Sequence, residues 1–260
     1  MNSKTKHIAL AVKDLSVGYK NTVVASGINF EIPSGHLIGI AGINGVGKST
    51  LLRTLAKVQS KLSGSIHING KLIENYNAKD LASTLSVVLT EAPASNNMTV
   101  HELIALGRQP YTNWIGKLSK TDSSKISEAL QLLAVEDLKN KKCYELSDGQ
   151  LQRVMIARAL AQDTKLILLD EPTTHLDLYH KVQILKLLQS ITKQTEKTIL
   201  FTSHEIEIAI QLCDQLLLLK QSNCSFGSPA QLVEKKAFDD LFPEDAVLFD
   251  ALTGTFKIKK

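Results

Sequence analysis

Apolar and polar residues follow two different periods along this chain, and the two periods predict a mixture of strands and helices. Alternating or fully apolar runs predict strands at 8–12, 15–19, 28–32, 63–70, 85–89, 165–169, 198–202 and 215–219, with a further apolar run at 37–41. Helical spacing and capping residues predict helices at 48–58, 99–106, 121–133, 147–161, 178–191 and 206–212. Alternation of strands with helices indicates a parallel sheet covered on both faces, and the first three strands indicate an antiparallel edge layer.

Two further regions complete this pattern. The helices predicted between 90 and 145 form an insert between two strands of the sheet. Near the C-terminus, Ser228 and Pro229 open a short helix, and 246–259 is strand-like.

A glycine-rich stretch joins the apolar run 37–41 to the helix that begins at Lys48. Gly42 and Gly47 are separated by four residues and followed by Lys48 and Ser49, which is the phosphate-binding pattern. Backbone N–H groups can wrap a phosphate tail where glycine leaves no Cβ in the way, and the helix N-terminus adds its positive dipole. We expect Lys48 to reach the β- and γ-phosphates and Ser49 to hold Mg²⁺. The alternative is an ordinary turn, although a random chain shows this pattern only about once in a hundred.

Two carboxylates end a core strand, since Asp170 and Glu171 follow the apolar run 166–169. Open α/β sheets bind ligands at this carboxyl edge. We expect Asp170 to bind the metal and Glu171 to act as general base on an attacking water. His204 follows the strand 198–202 and should emerge at the same edge, where it can orient that water. Taken alone, the two carboxylates are also compatible with a strand that simply ends in solvent. A single histidine at the start of a helix is likewise compatible with a helix cap or a surface residue.

Composition excludes several classes of function. The 260 residues carry a net charge of only +4, which gives no reason to expect nucleic acid as a partner. Three widely spaced cysteines, Cys143, Cys213 and Cys224, lack the spacing of a metal site and suit a reducing compartment. No run of 18 apolar residues occurs and the N-terminus lacks a secretory apolar core, so we expect a cytoplasmic location.

Together, these motifs resemble the ATP-binding subunit of an ABC transporter over about residues 8–235. The resemblance implies an α/β fold with a P-loop NTPase core, an antiparallel β subdomain and a helical subdomain at about 90–162. It divides the chain into an ATP-binding domain at 1–235 and an extension at 236–260. It also implies ATP and Mg²⁺ as ligands, with the nucleotide-binding residues Tyr19, Gly42, Asn44, Gly45, Gly47, Lys48, Ser49, Thr50, Ser147, Gly149 and Asp177. Lys48, Glu171 and His204 are then catalytic, His204 is the family's switch histidine, and Tyr19 stacks on adenine.

The family's signature motif corresponds to 146–150 and implies a pair of subunits. Ser147 and Gly149 would contact the γ-phosphate held in the loop of a second copy, because a capped helix N-terminus is an anion site that its own loop does not reach. Two ATP molecules would lie between two copies, and hydrolysis would let the copies separate.

Two positions depart from the family pattern. Asp148 replaces the glycine that usually follows the signature serine and places a negative charge near a phosphate site. The glutamine expected after strand 85–89 is absent, and Thr90 and Glu91 stand there. Our hypothesis is that Glu91 replaces it as a water-mediated contact to the metal.

The segment 98–119 resembles the importers for ferric siderophores, haem and cobalamin. This resemblance implies a homodimer beneath integral-membrane permease subunits, at the cytoplasmic face of the cell membrane, with a substrate-binding protein on the far side. The surface from Thr90 to Trp114 would receive the permease, although Pro110, Tyr111 and Trp114 are equally compatible with a packed loop core. The alternatives are an exporter ATPase and a non-transport ABC ATPase that acts in cofactor assembly or on nucleic acid.

Overall fold

A computed structural model describes residues 7–20, 22–91, 97–242 and 247–259. Within these ranges the strands are β1 (Ile8–Tyr19), β2 (Thr22–Pro33), β3 (Leu37–Ala41), β4 (Ser63–Ile68), β5 (Lys71–Leu72), β6 (Leu85–Val88), β7 (Leu166–Leu169), β8 (Thr198–Thr202), β9 (Gln215–Leu219), β10 (Cys224–Gly227), β11 (Val247–Asp250) and β12 (Thr255–Ile258). The helices are α1 (Lys48–Leu55), α2 (Ala78–Ala82), α3 (Val100–Ala105), α4 (Lys120–Leu132), α5 (Asp148–Ala161), α6 (Leu178–Thr195), α7 (Ile206–Leu212) and α8 (Pro229–Glu234).

The central sheet has six strands in the order β10-β9-β3-β8-β7-β6. Five of them are parallel, and β10 runs antiparallel at one edge. The central strands β3, β7 and β8 are buried on both faces because alternate side chains enter two different apolar clusters. In β7, Leu166 and Leu168 pack with α1 and the antiparallel layer, whereas Ile167 and Leu169 pack with the helices on the other face. The predicted α/β fold with a parallel sheet is confirmed.

A second sheet is antiparallel, in the order β2-β1-β4-β5, and it confirms the predicted antiparallel layer. The prediction of separate strands at 8–12 and 15–19 was wrong in detail, since β1 is one strand of twelve residues. Its pairing with β2 shifts between Val12 and Leu15, and Asp14 has a φ of 48°. The polar residues between the two apolar runs therefore form a bulge, which interrupts the alternation without ending the strand.

Helices α3, α4 and α5 lie between β6 and β7 in the chain and pack together in the larger apolar cluster. A buried ion pair joins them, with Arg108 Nε 2.8 Å from Asp122 Oδ1 and both side chains about 5% exposed or less. Arg108 Nη1 also donates to Ala161 O at the end of α5, at 2.7 Å. The proposed domain boundaries stay predictions.

Candidate functional site

The glycine-rich loop connects β3 to α1, as predicted. Gly47 occupies the N-cap position of α1 with a φ of 103°, and a Cβ there would lie 2.7 Å from Val24 Cγ1. Gly45 has a φ of 78°, which also favours glycine, but a Cβ at Gly45 would meet nothing within 4 Å. Asn44 and Gly45 are exposed at the tip of the loop, whereas Ser49 and Thr50 lie in the first turn of α1.

Lys48 is the charged group inside this loop. Its side chain is buried, and Nζ donates to Gly42 O at 2.8 Å and to Ile43 O at 3.1 Å. Burial lowers the pKa of Lys48, and the nearby carboxylates of Glu171 and Asp170 oppose that shift. Because both hydrogen-bond partners are neutral carbonyls, a polyanion held in the loop would supply a compensating charge.

The carboxyl ends of β7 and β8 bring three polar residues into one network. Asp170 is buried, and its Oδ1 accepts from Thr202 Oγ1 at 2.8 Å. The same hydroxyl accepts from the backbone N–H of Glu171 at 2.8 Å. Glu171 has a φ of 48°, so its backbone adopts the left-handed conformation at the point where the strand ends.

One atom of this network lacks a partner among the described residues. Asp170 Oδ2 is buried and accepts no hydrogen bond from them, which is a costly arrangement for a carboxylate oxygen. No group of three or more His, Cys, Asp or Glu residues in the described part of the chain forms a metal site by itself. The chemistry therefore fits a magnesium ion held by one protein carboxylate and the Ser49 hydroxyl, with the remaining ligands supplied by phosphate and water.

Glu171 contacts His204, as expected for two residues at the same sheet edge. His204 Nε2 hydrogen-bonds Glu171 Oε1, and Thr174 Oγ1 donates to Glu171 Oε2 at 3.0 Å. The carboxylate is thus held from both sides, with 19% of its side chain exposed. Sequence reasoning missed Thr202 and Thr174. Only the position of Thr202 at the end of a core strand, two residues before His204, could have indicated its role.

A cavity of about 190 Å³ opens beside this network. Asp148 and Glu91 line it together with Asp170 and Glu171, so the two departures from the family pattern lie near the acidic strand end of their own chain. Glu91 is 72% exposed, and its Oε1 lies 3.4 Å from Arg53 Nη2. An exposed pair at this distance contributes little to stability, so Glu91 is free to exchange Arg53 for another partner.

The predicted signature helix has a capping box at its N-terminus. Gln150 N donates to Ser147 Oγ at 3.3 Å, and Ser147 N donates to Gln150 Oε1 at 3.1 Å, which confirms the predicted cap. A Cβ on Gly149 would lie 3.5 Å from Leu176 Cδ2 and 3.9 Å from His180 Cδ2.

Asp177 lies in the same neighbourhood and caps α6. Its Oδ1 accepts from His180 N at 2.9 Å, and its Oδ2 lies 2.8 Å from His180 Nδ1. The bond from the backbone of His180, followed by the bond from its side chain, lowers the pKa of Asp177. The N-terminal ends of two helices therefore lie side by side, with Ser147 and Asp177 exposed and Gly149 half-buried.

Tyr19 stands at the other side of the glycine-rich loop. It is the last residue of β1, is 54% exposed, and its hydroxyl lies 3.4 Å from Thr50 Oγ1. The phenol ring is therefore beside the start of α1 and open to solvent, where a planar base can pack against it.

The segment 98–119 forms a groove of about 610 Å³ near the N-terminus of α3. Thr99 and Glu102 form the predicted capping box there. Tyr111 is partly packed, with Arg108 4.1 Å from its ring centre, whereas Trp114 is 94% exposed. Trp114 is thus a surface residue and does not belong to a packed loop core. Residues 92–96, part of the surface predicted to receive a permease, lie outside the described residues.

Comparison with known proteins agrees with the geometry. Residues 25–174 match the ABC transporter family. The chain is 39% identical to an uncharacterized ABC transporter ATP-binding protein of Methanocaldococcus jannaschii, over 96% of this chain and 87% of that protein. It is 35% identical to the iron(3+)-hydroxamate import ATP-binding protein of Bacillus subtilis, over 92% and 89% of the two chains.

A solved structure resembles it closely as well. A dimeric ATP-binding cassette in a post-hydrolysis state, bound to ADP and phosphate, superposes with a TM-score of 0.72 at 25% identity, covering 85% of this chain and 98% of that chain. Among the described residues, no helix is long and apolar enough to cross a membrane.

Proposed function

Since this chain belongs to the ABC transporter family and has the ATPase fold and activity of its ATP-binding domain, we propose that it is the ATP-hydrolysing subunit of an importer for a ferric siderophore, haem or a cobalamin-type substrate. The observation that carries the catalytic part of this proposal is the network of Asp170, Glu171 and His204 beside the glycine-rich loop. The cargo class rests on the segment 98–119 and on the similarity to the iron(3+)-hydroxamate import protein of B. subtilis.

ATP would be held by its phosphates in the glycine-rich loop. Lys48 supplies a positive charge, and Tyr19 offers its exposed ring to the adenine. Asp170, with its unpartnered Oδ2, and Ser49 would hold Mg²⁺, which when bound neutralises charge on the phosphate oxygens. The loop and the first turn of α1 are completed by Gly42, Asn44, Gly45, Gly47 and Thr50.

Glu171 is our candidate for the general base. Its carboxylate accepts hydrogen bonds on both oxygens, from Thr174 and His204, so it is oriented before a water arrives. His204 holds Glu171 in place and can bond a phosphate oxygen once the nucleotide is present. We expect Glu171→Gln to retain ATP binding and to lower turnover about 10²- to 10⁴-fold. Near-normal turnover of this variant would remove Glu171 from the role.

The position of the signature helix supports a homodimer. Ser147, Gly149 and Asp177 present two helix N-termini on an exposed surface, which suits the γ-phosphate held by a second copy. Light scattering of the Glu171→Gln variant should show dimers with ATP and Mg²⁺ and monomers without them. Monomers under both conditions, with the membrane partner also present, would contradict the homodimer.

The membrane partner would be a pair of permease subunits that contact the groove at 98–119, with a substrate-binding protein acting from the far side. The exposed Trp114 and the groove offer apolar surface of the kind that protein interfaces use. Co-purification with a polytopic membrane protein would support this assignment, and tight binding of DNA, RNA or an assembly partner would support a non-transport ATPase.

Glu91 would assist the metal through a water molecule. It lines the cavity next to Asp170 and, within the described part of the chain, forms an exposed pair with Arg53. Glu91→Ala should raise the Mg²⁺ concentration needed for half-maximal turnover, because the metal loses a water-mediated contact. Unchanged Mg²⁺ dependence and turnover would show that Glu91 has no part in metal binding.

A further inference from the structure

The C-terminal hairpin, formed by β11 and β12, lies against the outer face of α7. Phe256 N in β12 donates to Glu207 Oε1 at 2.8 Å. In the turn of the hairpin, a Cβ on Gly254 would lie 3.7 Å from Ile210 Cγ2. Glu207 and Ile210 are three residues apart and share one face of the helix, so the hairpin contacts α7 along its length.

The opposite face of α7 packs on the central sheet. Ile206, Ala209 and Cys213 are buried, and a Cβ on Gly39 of β3 would lie 3.5 Å from Ala209 Cβ and 3.2 Å from Cys213 Sγ. Because α7 approaches the sheet this closely, it has no room to move inward. The hairpin closes the other side, and α7 is therefore held between two layers.

This helix depends on tertiary contacts for its position. It has seven residues, and Glu205 at its N-cap makes no capping hydrogen bond through its side chain. Helices this short are not stable without packing. At its ends, Lys181 of α6 pairs with Glu205, and Gln189 Nε2 donates to Leu212 O at 2.7 Å.

The hairpin itself is anchored by aromatic rings. Phe249 stacks on Phe238 with ring centres 4.5 Å apart, and Phe256 meets Phe242 edge to face at 5.1 Å. Phe249 and Phe256 also face each other across the hairpin at 5.1 Å. Such a cluster stabilises one position of the hairpin relative to the rest of the molecule.

His204 stands between a fixed strand and this helix. The strand β8 ends at Thr202, whose hydroxyl is bonded on both sides, and α7 begins two residues after His204. A shift of α7 must therefore be absorbed by the segment 203–205, which carries the imidazole that contacts Glu171.

We propose that the C-terminal hairpin is a positioning element for ATP hydrolysis: through Glu207 and Ile210 it holds α7, and so keeps His204 against Glu171. This inference rests on the proposed roles of Glu171 and His204. Glu207 is a positioning residue, since it bonds the backbone of the hairpin and would act on the reaction only through α7 and His204. The hairpin would then be the link through which a change at the C-terminus alters turnover without touching the nucleotide.

The test compares Glu207→Ala with Glu207→Gln in the full chain. The alanine removes the acceptor for Phe256 N–H, whereas the glutamine retains an oxygen at the same place. We expect Glu207→Ala to lower kcat about threefold to tenfold, with the Kd for ATP within about twofold of the wild-type value, because small misplacements of a catalytic group lower the rate more than binding. Glu207→Gln should keep kcat within about twofold of the wild-type value.

A double-mutant cycle with His204→Ala separates positioning from a general loss of structure. If Glu207 acts through His204, Glu207→Ala should lower kcat by less than about twofold further in the His204→Ala background. An equal loss in both backgrounds, or a wild-type kcat for Glu207→Ala alone, would overturn the inference. A wild-type kcat for His204→Ala would instead refute the proposed role of His204, and the inference with it.

Discussion

Thr202 offers a sharp test of the site because its single hydroxyl serves two partners. Its Oγ1 donates to Asp170 Oδ1 and accepts from Glu171 N, each at 2.8 Å, and the residue is fully buried. Thr202→Val keeps the shape of the side chain and removes that hydroxyl. Both partners are then left unpaired, next to an Asp170 oxygen that already lacks a partner.

The expected loss can be worked from these contacts. A buried polar group left without a partner costs about 1–3 kcal/mol. Since Glu171 is only partly buried and its N–H can recruit water, we expect the free energy of unfolding to fall by about 2–4 kcal/mol in total. For a chain of this size that corresponds to a fall in Tm of roughly 5–15 °C. Turnover should fall as well, because the backbone of the proposed base Glu171 loses its anchor.

Thermal unfolding followed by circular dichroism, together with steady-state ATPase assays, measures both effects. Thr202→Ser is the matched control, because it keeps the hydroxyl and loses one methyl group, at a cost of about 1 kcal/mol. We expect the serine variant to retain most of the turnover and most of the stability. If valine and serine lower Tm equally, or if valine leaves both quantities at wild-type values, the hydroxyl does not carry the role described for it.

Three further predictions concern the glycine-rich loop and the buried ion pair. Gly47→Ala should lower ATP affinity about tenfold, measured by titration calorimetry, because the φ of Gly47 is 103° and a Cβ there would clash with Val24. Gly45→Ala should lower the affinity less, because its Cβ would meet no described residue within 4 Å. Equal losses of affinity would contradict the steric argument. Asp122→Ala should lower the free energy of unfolding by about 3–5 kcal/mol in urea titrations, since it leaves the buried Arg108 without its counter-ion. A change below about 1 kcal/mol would contradict this. Hydrogen bonds from Ser119, followed by those from Arg108, lower the pKa of Asp122 to about 2 in the folded protein. In the unfolded chain this carboxyl has a pKa of about 4. The stability that Asp122 provides is therefore fully present above pH 4 and is lost as the pH falls through 2. The difference in Tm between wild type and Asp122→Ala should therefore shrink from pH 5 to pH 2, and a constant difference would refute the assignment.

Much of the fold could be predicted from the sequence, because strong local patterns of apolar and capping residues agreed with the packing in the tertiary structure. The strand β7 is a continuous apolar run and β8 has an apolar centre at 199–201, which suits strands buried on both faces. Elements with a weak sequence pattern were not predicted or were predicted with wrong bounds. The strand β10 and the short helix α2 were not predicted, and the helix predicted to reach Val58 ends at Leu55. Short segments carry too few residues for a periodic pattern, and their structure depends on the neighbours they pack against.

The sequence by itself determined the position of the glycine-rich loop, the acidic strand end and the helix caps, because each is a local pattern in which neighbouring residues meet a local requirement of the backbone. Only the tertiary structure decided that Thr202 joins Asp170 to Glu171, that His204 meets Glu171, and that the C-terminal hairpin reaches α7. These contacts join residues that are distant in the chain. Their geometry depends on strand order and sheet packing, which no short stretch of sequence specifies.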